Sequence, residues 1–210
     1  STIFLQLLVF GERSRMVSQR LHEERELLRR IAHVMGDEQA PRQKLERVIG
    51  ETQYLDLFLA FGAWARVPGG DDLEYLGGHL PGEFSLPPIL LSSHLDRPIL
   101  QAALRSETPL FLENLSADPR VSEQVKAFDV DRGFVAPLRD GGEVIGVMGA
   151  ILDPELPLDE SQRRFIGDLA DELSLVLSNL RLREQQRGHS DALDAERRLL
   201  RELIEAVPEG

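Results

Sequence analysis

The Asp140-Gly141 pair, which stands between two apolar runs, is the feature that most restricts what this 210-residue chain can fold into. Asp-Gly is a preferred pair for a two-residue hairpin turn, because glycine adopts a positive φ without steric cost. The runs on its two sides, residues 133–138 and 144–152, are rich in branched side chains and glycine, as buried strands are. The sequence therefore predicts a tight antiparallel hairpin whose second strand lies inside a sheet.

Alternation along the second strand predicts which of its residues share a face of the sheet. The small residues in it would let a helix or a ligand approach the backbone closely. Pro137 in the first strand has no N–H to donate, which favours a strand end or a sheet edge. Two sets are expected, one on each face: Val144, Gly146, Met148 and Ala150, then Ile145, Val147, Gly149 and Ile151.

Apolar residues spaced by three and four predict two helices that pack on this sheet. The first helix ends near Gly50 and buries Leu45, Val48 and Ile49. The second is predicted over Leu158–Arg187, and Gly188-His189-Ser190 is expected to end it before a further helix begins. Its apolar stripe consists of Phe165, Leu169, Leu173, Val176, Leu177 and Leu180.

The first half of the chain predicts a second hairpin. Tyr54–Val67 is apolar in both phases of a strand, which indicates burial on both faces. Leu73–His79 follows a turn rich in glycine and aspartate and is expected to pair with it. Leu80–Arg97 contains three prolines, which exclude long regular structure. A short strand is predicted at Pro109–Leu112.

The N-terminal segment carries a heptad stripe of Val17, Leu21, Leu28, Ile31 and Met35. Such a stripe predicts a helix that pairs with a second copy of the chain. The apolar stretch Ile3–Phe10 is far shorter than the roughly 20 residues that span a bilayer. We therefore expect a cytoplasmic location, and membrane tethering of the full-length protein stays open, because basic residues follow this stretch.

Charge and cysteine content exclude several functions. The formal net charge is -12, so the surface would repel a nucleic-acid backbone. The chain has 0 cysteines, which excludes disulfides, zinc–thiolate sites and pigments attached through a thioether.

The loop at residues 110–120, the hairpin at 133–148 and the helix that begins at Leu158 together resemble the second half of a GAF domain. GAF domains are small sensory modules common in bacterial signalling proteins. The resemblance covers about residues 37–182. It implies an α+β, GAF/PAS-like fold, in which an antiparallel sheet of five or six strands carries helices on one face, with long N- and C-terminal helices. Residues 1–36 would then be a signalling helix, and residues 183–210 a linker helix that leads to a further module.

The resemblance also implies a ligand pocket walled by the irregular middle of the domain. Aromatic side chains would line it, and polar groups in the loop at residues 114–120 would orient a small molecule. The alternatives are that the aromatics are plain core, that the Asp118-Pro119-Arg120 turn is structural and that both histidines lie in loops or at the surface. The candidate ligand-binding residues are Trp64, Tyr75, His79, Phe84, His94, Asn114, Asp118, Arg120, Phe128 and Phe134.

Missing motifs argue against several ligands that other GAF domains bind. Family members that reduce free methionine sulfoxide or bind a bilin covalently use cysteines, which this chain lacks. Residues 121–132 contain no histidine for haem, and the cyclic-nucleotide motif is absent, since Ile166-Gly167-Asp168 follows Phe165. His79 and His94 have no clustered carboxylates for a zinc or iron site. The cofactor therefore stays unknown, and no metal site or catalytic residue is predicted.

The sequence thus predicts a non-enzymatic sensory module that binds a small molecule or a partner. A parallel homodimer of the terminal helices would relay the signal to a downstream output domain, in two-component or cyclic-dinucleotide signalling. Two alternatives stay open: a degenerate GAF domain that serves only as a dimerisation spacer, and a small-molecule enzyme with His79 or His94 as its base.

Overall fold

A computed structural model of the chain describes residues 22, 24–31, 41–55, 57–80, 89–90, 98–126, 130–154 and 158–205. Residues 24–31 form a helical segment, called here the N-terminal helical segment. The later helices are α1 (Pro41–Glu51), α2 (Pro98–Leu104), α3 (Glu123–Lys126) and α4 (Glu160–Glu205), with a 3-10 turn at Thr52–Tyr54. The strands are β1 (Phe58–Arg66), β2 (Leu73–His79), β3 (Ile89–Leu90), β4 (Leu110–Leu112), β5 (Gly133–Asp140) and β6 (Glu143–Leu152).

The six strands form one antiparallel sheet in the order β3-β2-β1-β6-β5-β4. The predicted α+β architecture is confirmed, with β1 and β6 side by side at the centre. The first strand begins at Phe58, later than the predicted Tyr54, because Thr52–Tyr54 turns as a 3-10 helix. The Thr52 hydroxyl donates to the Ile49 carbonyl at 2.6 Å and supports this turn.

The β5–β6 hairpin closes at Gly141 and Gly142, whose φ angles are 54° and 100°. Two successive positive φ angles match the twist of a hairpin, so the predicted tight hairpin is confirmed. Its two loop residues are Gly141 and Gly142, one position later than the Asp140-Gly141 pair, because Asp140 still pairs with Glu143. Pro137 lies past the end of β4, which pairs only with residues 133–135. The open edge of β5 at that point agrees with the position predicted for a residue that lacks an N–H.

The predicted alternation along β6 is wrong at its start. Leu138 pairs with Gly146 but Arg139 pairs with Val144, so Ile145 is an extra residue in a β-bulge. The bulge shifts the phase of the strand. Ile145 therefore packs with Met148 on the face that carries α1 and α4, while Val144 packs on the opposite face.

Helix α4 begins with a reciprocal cap. The backbone N–H of Gln162 donates to Asp159 Oδ1 at 3.0 Å, and the backbone N–H of Asp159 donates to Gln162 Oε1 at 3.1 Å. The predicted break at Gly188-His189-Ser190 is wrong, because the helix runs without interruption for 46 residues. A glycine inside a helix costs only about 1 kcal/mol, which is too little to end it. None of the described helices is both long and apolar enough to span a membrane.

The face that carries α1 and α4 holds the larger core. The apolar stripe predicted on α4 packs in this core, since Phe165, Leu169 and Leu173 are buried against the sheet. Leu27 and Ile31 of the N-terminal helical segment are also buried in this core. Within the described part of the predicted heptad stripe, Ile31 therefore contacts the chain's own domain. Val17, Leu21 and Met35 lie outside the described residues.

Candidate functional site

A cavity of about 100 Å³ lies against the sheet face opposite α1 and α4. We call it the sheet-face cavity. Strands β1, β5 and β6 form its floor, and α2 with the segment that follows β4 forms its walls. The described lining residues are Ala60, Phe61, Gly62, Trp64, Leu80, Ile99, Leu100, Leu112, Leu115, Val121, Ser122, Val125, Phe134, Val135, Gly149, Ala150 and Ile151.

The indole of Trp64 lies on a floor made by two glycines. Gly62 and Gly149 face each other across β1 and β6. A Cβ atom at Gly62 would stand 2.7 Å from Trp64 Cη2, and one at Gly149 would stand 4.0 Å from Trp64 Cζ3. The absence of a side chain at Gly62 thus leaves the space that the indole occupies, and it brings the ring to the cavity.

Two residues of the cavity lining each have a buried polar atom without a hydrogen-bond partner in the described part of the chain. The atoms are Trp64 Nε1 and the Ser122 hydroxyl oxygen. Leaving a buried donor unsatisfied costs about 1–3 kcal/mol. Both atoms are fully buried, so a molecule in the cavity reaches them only if the two side chains move.

The predicted aromatic and histidine residues separate into two groups. Trp64 lines the cavity, and ligand binding by it stays a prediction. Phe134 borders the cavity, but its ring packs against Phe58 and Phe111 in the core on the α1/α4 face, so it is not the aromatic wall that was expected. Tyr75 contacts the Trp64 ring at a centroid distance of 5.8 Å without lining the cavity, and burial raises the pKa of its hydroxyl. His79 is not in the lining either, since its ring stacks on Phe61 and its Nε2 lies 3.2 Å from the Phe58 carbonyl oxygen.

The loop residues Asn114, Asp118 and Arg120 hold the turns beside the cavity and are absent from its lining. Asn114 Oδ1 accepts from the Ala117 amide at 3.2 Å. Asp118 accepts from both Nε and Nη2 of Arg120, at 3.0 and 2.7 Å. The Arg120 guanidinium holds the pKa of the Asp118 carboxyl below its usual range. This geometry matches the structural alternative for the turn, and a direct ligand contact by these residues stays a prediction.

Three predicted residues, Phe84, His94 and Phe128, lie outside the described residues. Sequence reasoning missed the lining contributed by α2 and by the segment after the Asp118 turn. Ile99 and Leu100 belong to a predicted helix, but the sequence does not say which sheet face that helix covers. Ser122 follows the Asp118-Pro119-Arg120 turn, and its spacing from that turn is the only signal that would have suggested it.

A second, polar groove of about 120 Å³ lies on the opposite side of the sheet, between α1, α4 and the β1–β2 hairpin. Arg42, Arg66 and Arg181 line it together with Glu46, Glu74 and Glu184, so that its charges balance. The Arg181 guanidinium donates to the Arg66 carbonyl, and burial lowers the pKa of this guanidinium. The groove is therefore where α4 is tied to the end of β1.

Among the residues that the structure describes, no group of three or more His, Cys, Asp or Glu side chains is arranged to hold a metal ion.

Comparison with known proteins gives one family. The family model described as GAF domain matches residues 40–178. No curated protein sequence matches the chain.

Solved structures with the same fold include proteins of different kinds. A free methionine-R-sulfoxide reductase from Neisseria meningitidis, solved with its substrate, has 20% identity and a TM-score of 0.61, over 76% of this chain and 90% of that one. The nlh2 GAF domain of A. aeolicus, in an inactive state, has 15% identity and a TM-score of 0.59, over 76% and 98%. The GAF domain of a Coxiella burnetii phosphoenolpyruvate-protein phosphotransferase has 14% identity and a TM-score of 0.63, over 78% and 98%. At these identities the likeness establishes the fold.

Proposed function

The chain belongs to the GAF family, and from that premise we propose that it is a non-enzymatic sensory module that binds a small molecule in the sheet-face cavity. The observation that carries this proposal is the cavity itself, an apolar volume of about 100 Å³ that the surrounding side chains leave unfilled. A domain that served only as a spacer would gain stability by filling this volume with side chains. An empty volume fits a site that a ligand completes.

The absence of cysteine supports the non-enzymatic part of the proposal. One structural neighbour is a methionine sulfoxide reductase. Family members with that activity depend on cysteines, and this chain has 0. His79, the described candidate for a base, contacts a backbone carbonyl and does not line the cavity.

The contacts of α4 with the sheet support a relay from the cavity to this helix. The Arg139 amide donates to Ser174 Oγ at 2.8 Å, and Ser178 Oγ donates to Asp140 Oδ2 at 2.5 Å. The Arg181 guanidinium donates to the backbone at the end of β1. Strands β1 and β5 therefore hold α4 on one side and border the cavity on the other. A ligand that shifts these strands would move the helix that leads to the output domain.

Exposed leucines on α4 support pairing with a second copy of the chain. Leu175, Leu182 and Leu193 are 53, 53 and 47% exposed. Eighteen residues make about five helical turns, so Leu175 and Leu193 lie on one side of the helix, with Leu182 close to the same line. The apolar residues on the inner side are already used in the core. The proposed parallel homodimer therefore rests on this outer leucine stripe.

Native mass spectrometry of the protein as purified from its host tests the ligand. We expect a stoichiometric small molecule that denaturation releases. Ala60→Leu, which puts a larger side chain into the cavity, should purify empty while it keeps its circular dichroism spectrum. Leu59→Ala, on the same strand at a position 43% exposed, is the control and should keep the ligand. An empty wild-type protein that is tightly dimeric would instead favour the spacer alternative.

Sedimentation at tens of micromolar tests the dimer. The wild type should sediment as a dimer, and Leu182→Glu should sediment as a monomer because a charge would be buried in the interface. Asp191→Ala is the matched control, since Asp191 precedes Leu193 by two residues and lies on the other side of α4. A monomeric wild type would contradict the dimer proposal.

A further inference from the structure

The outer side of α4 carries a regular series of exposed residues. They are spaced alternately by four and three, which is the spacing of the a and d positions of a coiled coil. Every one of these side chains is exposed in the single chain. We call this series the α4 seam, and its members are Leu175, Asn179, Leu182, Gln186, His189 and Leu193.

The composition of the α4 seam fits a second copy of the chain as its partner. All side chains from Leu182 to Ala195 are exposed, although most helices in proteins owe their stability to the packing of one face. Asn179 takes an a position between two leucines at d positions. An asparagine at such a position favours a parallel pair in register, because there it meets the same asparagine of the other copy.

His189 takes a d position of the α4 seam, between Leu182 and Leu193. In a parallel pair, each d side chain inserts into a hole formed by four residues of the facing helix. For His189 that hole consists of Gln186, His189, Ser190 and Leu193 of the second copy. The two imidazoles therefore face each other, and none of the facing side chains is a carboxylate that could form an ion pair with them.

The charged residues nearest to His189 on α4 itself lie away from the seam. Those within five residues project at about 140° to 160° from it around the helix axis. The next d position, Glu196, is about 10.5 Å further along the helix. Carboxylates stay largely ionised above about pH 5, so their charges change little where histidine titrates. The residues within five positions are Glu184, Arg187, Asp191 and Asp194.

We propose that the α4 seam is a pH-sensitive contact, in which the two facing His189 side chains weaken the homodimer when they become protonated. This inference rests on the proposed function, since it names how the same homodimer is regulated. Histidine is the side chain that changes its charge between pH 5 and 8. Two neutral imidazoles share an N–H···N hydrogen bond across the seam, whereas two imidazolium ions are donors only and repel each other.

Sedimentation of the full chain at about pH 8 and about pH 5.5, at one ionic strength, tests this inference. We expect the dissociation constant of the dimer to rise about tenfold or more at the lower pH. The overall charge acts in the opposite direction. The formal net charge is -12 with neutral histidines, and acidification makes it less negative, which reduces the repulsion between two copies. Weaker pairing at pH 5.5 therefore cannot come from the net charge.

Two variants assign the response to the imidazole. His189→Gln keeps a polar side chain that does not titrate, and its dissociation constant should be the same or lower at pH 5.5. His189→Lys carries a charge at both pH values and should pair weakly at both. His22→Gln, at an exposed histidine outside α4, is the matched control and should keep the response of the wild type. Far-UV circular dichroism at both pH values shows that each variant stays folded.

The outcomes separate this inference from the proposed dimer. A wild type that pairs equally well or better at pH 5.5 would overturn the pH response and leave the dimer intact. A response that persists in His189→Gln would belong to another group and would also overturn it. A wild type that is monomeric at both pH values would overturn the dimer together with this inference, and would show that the α4 seam is not a contact between two copies.

Discussion

The two faces of the sheet use the same strands for different purposes. On the face that carries α1 and α4, Phe61, Met148 and Leu173 are almost fully buried in one continuous core. On the other face, β1 presents Ala60, Gly62 and Trp64, and a cavity separates the sheet from the segments that cover it. The comparison shows how one strand can contribute to a rigid core and to a binding site at once, because successive side chains point to opposite faces.

The largest difference between the faces should appear on truncating a leucine. Leu173→Ala removes a side chain that is 0% exposed in the continuous core, and it should lower the free energy of unfolding by about 3–5 kcal/mol. Leu100→Ala, at a wall of the cavity, should cost about 2 kcal/mol, because a side chain beside a void has fewer contacts to lose. Urea denaturation of both variants measures the difference. Equal losses would contradict the contrast between the faces.

Enlarging a side chain should have opposite effects on stability at two alanines of β1. Ala63 is 0% exposed in the core, and Ala60 lines the cavity. Ala63→Val should destabilise the protein by about 1–3 kcal/mol, because the core has no room for two more methyl groups. Ala60→Val should stabilise it by about 0.5–1 kcal/mol by filling empty volume. Thermal denaturation compares the two, and a destabilised Ala60→Val would mean that the cavity is smaller in solution.

The glycine floor should respond differently from a glycine in a free helix. Gly62→Ala brings a Cβ within 2.7 Å of the indole, so it should cost about 1–2 kcal/mol and shift the emission of Trp64. Gly188→Ala has nothing within 4 Å and should stabilise α4 by up to about 1 kcal/mol. Fluorescence-detected unfolding gives both values. A stabilised Gly62→Ala would show that the indole does not lie on that floor.

The smallest effect should come from the turn beside the cavity. The pKa of Asp118 is lowered by Arg120, so the stability that this pair adds is present above about pH 4 and is lost as pH falls through the folded pKa. Because Arg120 is largely solvated, we expect a contribution below about 1 kcal/mol. Asp118→Asn should lose it at pH 7 and match the wild type at pH 2 in urea denaturation. A difference that persists at pH 2 would assign the effect to the turn rather than to the charge.

The sequence predicts the helices and strands better than it predicts which residues surround a given side chain. The hairpin after Asp140 and the burial of Leu45 and Phe165 depend on local patterns, and the structure agrees with them. The bulge at Ile145 was missed because it depends on the pairing with β5, which a single strand does not reveal. Helix α4 continues past Gly188 because the cost of one glycine is small beside the bonds on either side.

The candidate site was predicted in part. Trp64 lines the cavity, whereas the Phe134 ring lies in the core on the other face, because the sequence predicts a buried strand without saying which of its faces borders a cavity. Ser122 and Val121 were not predicted, since their position is set by the path of a loop rather than by periodicity. Asp118 and Arg120 are predicted to contact a ligand because they are charged loop residues, yet they form an ion pair with each other. A charged residue in a loop is thus a weak signal for this cavity.

The length of α4 turns small movements into large ones. From Leu182 to Glu205 the helix rises for about 36 Å, since each residue adds about 1.5 Å. A tilt of about 5° at the anchors formed by Ser174, Ser178 and Arg181 would displace the far end by about 3 Å. The helix then acts as a lever anchored on the sheet, and a change too small to see at the cavity would be large at Glu205, the end of the described helix.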